Sequence, residues 1–130
     1  MQHIHAVVWI DHDEAHIIHF NPEESDELTV HSKPRRGHLH HKSGQLGDGR
    51  AAEDHDYYGL VETALAGAQE ILIVGPASAK EELEKHMRQH AKALASGIVG
   101  VEPVDHPSDC QILKLARMYF KAVDKIRQAT

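Results

Sequence analysis

The chain has 130 residues and a net charge of −6, from 14 lysines and arginines against 20 aspartates and glutamates. This length predicts a single domain spanning residues 1–130, and the lone Cys110 excludes an internal disulfide and a cysteine-rich zinc site. No apolar run could cross a membrane, and the N-terminus lacks the layout of a signal peptide. We therefore expect a cytoplasmic protein with no membrane partner.

Three strands are predicted in the first 31 residues. The run Ile4–Ile10 is rich in β-branched residues, and a tight polar turn leads from it into a second apolar run, Ala15–Phe20. This arrangement favours a β-hairpin, which Asn21-Pro22 ends. Leu28–His31 then predicts a third, short strand at the edge of a sheet.

Hydrophobic spacing changes to the helical period after residue 51. A helix is predicted over Ala52–Ala68, with Tyr57, Leu60, Val61, Ala64, Leu65 and Ala68 on its inward face. The apolar run Ile71–Val74 predicts a buried strand. Pro76 suits the first turn of a second helix, which is expected to run to about Leu94.

The last third of the chain adds one strand and one helix. Ile98–Val101 predicts a short strand, and a final helix is expected to start near Ser108. The apolar stripe of this helix comprises Ile112, Ala116, Tyr119, Val123 and Ile126. The complete order, β-β-β-loop-α-β-α-β-α, is typical of an α/β (α+β) protein with a ribonuclease-H-like mixed sheet covered by helices.

Residues 33–50, called the basic loop below, form the only long segment without a hydrophobic period. They carry five positive charges and one negative, so the net charge of −6 leaves −10 for the rest of the chain. The basic residues are Lys33, Arg35, Arg36, Lys42 and Arg50, and Ser43-Gly44-Gln45 stands among them. A long basic loop on an acidic body permits a targeted phosphate contact, and the alternative is a solvated loop whose charges only keep the protein soluble. Glycine permits close backbone approach, and glutamine can contact RNA or orient a water at an ester.

Histidines offer an alternative of another class. His38, His40 and His41 lie in the basic loop and could hold a metal, which would make the protein a metal-binding or sensing module. His86 and His90 are four residues apart on the second predicted helix, a spacing that can supply half of a zinc site. The sequence places no companion ligand beside this pair, so the leading interpretation includes no metal and no other cofactor. A protein-interaction domain with acidic helices is a third alternative.

Three motifs stand in order along residues 30–90. Ser43-Gly44-Gln45 lies in the basic loop, and His55-Asp56-Tyr57 lies in the helix that follows. Gly75, Ala77, Lys80 and Leu83 then form a Gly-x-Ala-x-x-Lys-x-x-Leu pattern. In this the chain resembles the Gly-Gly-Gln-bearing middle domain of archaeal and eukaryotic class-I peptide-chain release factors and of Pelota. It also looks like the small stand-alone bacterial proteins of that superfamily, often labelled translational machinery proteins.

The resemblance implies a translation-associated factor that binds the ribosome through ribosomal RNA or tRNA. Gln45 would enter the peptidyl-transferase centre and position a water, and Gly44 would allow the backbone geometry. The implied RNA-binding residues are Lys33, Arg35, Arg36, Lys42, Ser43 and Arg50. If the protein is an enzyme, the resemblance implies a peptidyl-tRNA ester hydrolase.

The chain departs from the family pattern in ways that bear on catalysis. Ser43 replaces the first glycine of the tripeptide, which is unfavourable if the backbone there needs a positive φ. The segment between Gln45 and His55 looks shorter than in the family. The 130 residues hold no codon-reading domain and no C-terminal partner-binding domain, so we do not expect stop-codon reading. We expect ribosome binding of a rescue or hibernation type, and hydrolysis stays open.

Overall fold

A computed structural model describes residues 4–32 and 46–129, and the side chains of residues 4–32 and 54–126. The strands are β1 His5–Ile10, β2 Glu14–Phe20, β3 Ser25–His31, β4 Glu70–Gly75 and β5 Ile98–Pro103. The helices are α1 Leu46–Ala64, α2 Ala79–His90, α3 Lys92–Ala95 and α4 Asp109–Ala129. The five strands form one sheet in the order β3-β2-β1-β4-β5. The predicted mixed α/β architecture is confirmed.

Within this sheet, every strand except β2 runs in the same direction. β2 is antiparallel to β1 and β3, whereas β4 is parallel to β1 and β5 is parallel to β4. The carboxyl ends of β1, β3, β4 and β5 therefore meet at one edge, called the carboxyl edge below. The chain leaves this edge at Asp11, Ser32, Pro76 and Val104. In open α/β sheets, ligand sites lie outside the carboxyl ends of the strands.

Helices cover both faces of the sheet. Side chains alternate between the two faces along each strand, and the central strands carry apolar side chains on both. Ala6, Val8 and Ile10 of β1 pack in the cluster that contains α1, α2 and α3, whereas Val7 and Trp9 pack with α4. This double burial explains why β1 and β4 read as continuous apolar runs. Among the described residues, none of the helices combines the length and apolar composition that a membrane span requires.

Two elements begin several residues before their predicted starts. α1 begins at Leu46 rather than at Ala52, so the last five residues of the predicted basic loop are helical. Gly47 and Gly49 suggested a loop, but the helix formers that follow from Arg50 extend the helix through them. β3 begins at Ser25 and pairs with β2 along its whole length. The predicted edge position of β3 is confirmed. An exposed edge strand tolerates polar residues, and the polar residues at the start of β3 are the reason that the sequence did not predict its first three positions.

The predicted second helix is interrupted. Ser78 precedes its first residue, so Pro76 lies outside it, and Ala91 separates α2 from the short α3 with an extended φ of −144°. The break turns the chain so that Ala95 packs in the core beneath α2. Gly97 then approaches Gln69 so closely that an added Cβ would lie 2.4 Å from its carbonyl oxygen.

Two residues predicted to face inward are exposed. Leu60 of α1 is 55% exposed, because the buried face of the helix is centred between Tyr57 and Tyr58. Leu60 lies roughly 110° away from that direction at 100° per residue. Ile126 of α4 is 66% exposed. α4 is ~30 Å long and the six-residue strands are ~20 Å long, so its last turns pass the end of the sheet.

Candidate functional site

The basic loop is rooted at the carboxyl edge. At its start, the Ser32 N–H donates to the carbonyl oxygen of Asp13, 2.8 Å away, which ties the end of β3 to the β1–β2 turn. That turn is itself closed by the Asp11 carboxylate, which accepts the N–H groups of Asp13 and Glu14 at 2.8 and 2.9 Å. At the other end of the loop, α1 begins at Leu46. The loop therefore leaves the fold where an α/β sheet commonly places its ligands.

The residues predicted to act in this loop stay predictions. Gly44 and Gln45, the proposed catalytic residues, lie outside the described residues. The same holds for Lys33, Arg35, Arg36, Lys42 and Ser43, and for the alternative metal ligands His38, His40 and His41. Arg50 belongs to α1, and its side chain lies outside the described part of the chain.

Two tyrosines in the middle of α1 fix this helix against its neighbours. Tyr57 is 1% exposed, and its hydroxyl donates to the carbonyl oxygen of Asp11 at 3.0 Å. Tyr58 donates to the Glu82 carboxylate of α2 at 2.7 Å. Burial raises the pKa of both hydroxyls far above the ordinary value, and the nearby charges of Asp11 and Glu82 add to the effect. Both side chains therefore act as neutral donors that hold α1 against the carboxyl edge and α2.

The Glu82 carboxylate is contacted by two elements besides α2, through Tyr58 of α1 and His12 of the β1–β2 turn. Burial raises the pKa of Glu82, but the hydrogen bond from Tyr58 and the charge of His12 outweigh that effect, so the pKa lies below its usual value. Ser78 also donates to Glu82 at 3.3 Å. The carboxylate thus joins α1, α2 and the β1–β2 turn.

The Gly-x-Ala-x-x-Lys-x-x-Leu pattern has a structural explanation. Gly75 ends β4 so close to β1 that an added Cβ would lie 2.2 Å from the carbonyl oxygen of Ile10. Lys80 is buried, and its ammonium donates to the carbonyl oxygen of Ala77. Leu83 is fully buried in the core. These residues close the β4–α2 connection, so the motif supports the fold.

Three histidines from α1 and α2 form a cluster that the sequence did not predict. The nitrogens of His55, His86 and His90 that could bind a metal lie within 4.8 Å of one another. His86 Nε2 and His55 Nδ1 are 2.8 Å apart, and His86 Nδ1 is 2.6 Å from the Glu62 carboxylate. Within the described ranges, this is the one group of three or more histidines, cysteines and acidic residues with metal-binding spacing.

The i,i+4 spacing of His86 and His90 was the only sequence signal for this cluster. His55 lies 31 residues before His86 along the chain, and the packing of α1 beside α2 brings the two rings together. That packing depends on both helices covering the same face of the sheet, which the order of elements alone does not specify.

Among known proteins, this chain is similar to several solved structures. No protein-family model matches the sequence, and no curated protein matches it. Pelota from Archaeoglobus fulgidus is similar with a TM-score of 0.65 at 13% identity, over 99% of this chain and 36% of Pelota. The archaeal translation termination factor aRF1 gives 0.58 at 17% identity, over 95% of this chain and 39% of aRF1. Dom34 of S. cerevisiae is a translation termination-like factor involved in RNA quality control pathways. It is similar with a TM-score of 0.56 at 10% identity, over 85% of this chain and 31% of Dom34.

These comparisons establish the fold. The predicted resemblance to the release-factor and Pelota domain is confirmed at that level, because the similar structures include both classes. The chain spans a little over a third of the length of Pelota and of aRF1. The resemblance to stand-alone bacterial proteins stays a prediction.

Proposed function

We propose that this chain is a translation-associated factor that binds the ribosome through ribosomal RNA or tRNA, using its basic Ser-Gly-Gln loop. The observation that carries the proposal is the place of that loop. It joins the edge strand, which ends at the carboxyl edge, to the start of α1, in a fold shared with a translation termination factor and a translation termination-like factor. The task is of the rescue or hibernation type.

The distribution of charge supports the same proposal. Five basic residues lie within residues 33–50, while the rest of the chain sums to −10. An acidic body is repelled by RNA phosphates, so attraction is confined to the loop and orients the protein as it approaches. Lys33, Arg35, Arg36, Lys42 and Arg50 supply the phosphate contacts in this proposal, together with the hydroxyl of Ser43.

Charge reversal in the loop tests the proposal. We expect the wild-type protein to co-sediment with ribosomes at low salt. The double variant Arg35→Glu with Arg36→Glu should bind roughly tenfold more weakly or worse, because two phosphate contacts become repulsive. Its plot of log affinity against log salt should be shallower by about 1.5. Binding is measured by co-sedimentation across a salt series.

A matched double variant controls for net charge. Lys121→Glu with Lys125→Glu makes the same change of charge on exposed residues of α4, which lies on the other face of the sheet from α1. We expect it to retain most of the affinity and the full salt slope. Absence of the wild-type protein from ribosome pellets at low salt would rule the proposal out. Equal losses in both double variants would show that binding depends on net charge and not on the loop.

Hydrolysis is tested separately from binding. We expect the protein to release no peptide from stalled ribosomes above background, because Ser43 stands where the Gly-Gly-Gln tripeptide has glycine. The assay measures peptidyl-tRNA cleavage for the wild type, for Gln45→Ala and for Ser43→Gly. If the wild type releases peptide and Gln45→Ala does not, the protein is a peptidyl-tRNA hydrolase with Gln45 as a catalytic residue.

A further inference from the structure

We propose that His55, His86 and His90 form a binding site for one divalent transition-metal ion, with Zn²⁺ as the preferred candidate. His55 lies on α1 and the other two lie on α2, so the ion would join the two helices. Three imidazoles bind such an ion with their nitrogens and leave one tetrahedral position open for water or an external ligand. The proposal is independent of ribosome binding.

The distances between the histidine nitrogens suit a metal after small side-chain rotations. Two imidazole nitrogens on one Zn²⁺ lie about 3.3 Å apart, given Zn–N bonds of about 2.0–2.1 Å and tetrahedral angles. In the structure, His86 Nε2 and His55 Nδ1 are 2.8 Å apart, and all candidate nitrogens lie within 4.8 Å of one another. His55 and His90 are exposed, so their rings can turn without displacing core residues.

His86 is already oriented as a ligand. Its side chain is 11% exposed, and its Nδ1 lies 2.6 Å from the Glu62 carboxylate, whose side chain is equally buried. A carboxylate accepts and does not donate, so Nδ1 carries the proton and Nε2 presents its lone pair to the cluster. Metal-binding histidines in proteins characteristically donate their second N–H to a carboxylate in this way. Glu62 therefore acts as a positioning residue that fixes the orientation of the ring.

The donor set decides the class of ion. Imidazole nitrogen favours zinc, copper, nickel and cobalt, whereas Mg²⁺ and Ca²⁺ require oxygen ligands. The helical pair holds one side of the ion, because residues four apart lie on one face of a helix. His55 reaches the ion from the neighbouring helix. Binding would thus clamp the part of α1 that follows the basic loop onto α2.

The test uses untagged, chelator-treated full chain titrated with ZnCl₂ by calorimetry, and with Co²⁺ followed by visible absorption. We expect one ion per chain, a Co²⁺ spectrum of the intense tetrahedral type, and no binding of Mg²⁺. His86→Ala and His90→Ala should each weaken Zn²⁺ binding by about 100-fold or more. Glu62→Gln should weaken it by about tenfold, because the ring loses its charged partner.

Two controls separate this site from other histidines. His106→Ala removes an exposed histidine outside the cluster and should leave Zn²⁺ affinity unchanged. The triple change His38→Ala, His40→Ala and His41→Ala should also leave it unchanged. Loss of binding in the triple variant with retention in His90→Ala would overturn the proposal in favour of the loop. Absence of stoichiometric Zn²⁺ binding by the wild type would also overturn it.

His90→Ala tests the metal site in a variant that should keep the wild-type fold, so that a loss of binding cannot be attributed to unfolding. His90 is exposed, and its ring lies beside those of His55 and His86, so the variant should fold as the wild type does. Zn²⁺ should raise the melting temperature of the wild type and leave that of His90→Ala unchanged. An equal rise in both proteins would place the ion elsewhere and refute the assignment.

Discussion

Tyr57→Ala should lower the free energy of unfolding by about 3–5 kcal/mol, the cost typical of deleting a large buried aromatic side chain. Tyr57 is 1% exposed and packs in the core between α1 and the sheet. The change would leave a cavity there and remove the hydrogen bond from the tyrosine hydroxyl to the carbonyl oxygen of Asp11. Because Tyr57 is the first buried residue described in α1, the helix that carries the end of the basic loop should loosen. Urea unfolding followed by circular dichroism measures the loss.

Two variants on the same helix separate the causes of that loss. Tyr57→Phe keeps the ring and removes only the hydrogen bond, so we expect a decrease of about 1 kcal/mol. It also reports on the site if Tyr57→Ala does not fold. Leu60→Ala truncates an exposed apolar residue three positions later and should change stability by less than about 1 kcal/mol. If Leu60→Ala were as destabilising as Tyr57→Ala, the assigned buried face of α1 would be wrong.

Alkaline pH should destabilise this protein through its two adjacent buried tyrosines. Burial raises the pKa of Tyr57 and Tyr58 in the folded state far above the value of about 10 in the unfolded chain. Below about pH 10 both states keep the two protons and the stability is unaffected. Above it only the unfolded chain releases them, so the free energy of unfolding falls by about 1.4 kcal/mol per pH unit for each tyrosine. Together they should remove about 4 kcal/mol by about pH 11.5.

Urea unfolding between about pH 9 and pH 11.5 measures this slope. Lysines also lose protons in this range, so the informative quantity is the difference between the wild type and a variant. Tyr57→Phe removes one of the two protons and should make the slope shallower by about 1.4 kcal/mol per pH unit. An identical slope in both proteins would show that Tyr57 ionises with equal ease in the folded and unfolded states.

Element types were readable from the sequence because local patterns determine them. The apolar runs of β1 and β4 exist since both strands are buried on two faces, and such runs are recognisable without knowing the neighbours. Element ends were less accessible. The polar start of β3 resembles a loop in sequence, and its pairing with β2 shows that it is a strand. The glycines in the first turns of α1 also resemble a loop, and the structure shows that the helix continues through them. The break at Ala91 has no local signal, because the burial of Ala95 directs it.

Some features of the candidate site could also be predicted from the sequence, and others could not. The mixed α/β class, the basic loop and its place between the third strand and the first helix could be predicted from the sequence, because charge and hydrophobic period are properties of consecutive residues. The packing of the helices was needed to show that His55 lies beside His86 and His90, that Glu62 contacts His86, and that Tyr57 ties α1 to Asp11. Those contacts join residues 24 to 46 positions apart. They arise because α1 and α2 are packed side by side on one face of the sheet, and that placement is set by burial of the shared core.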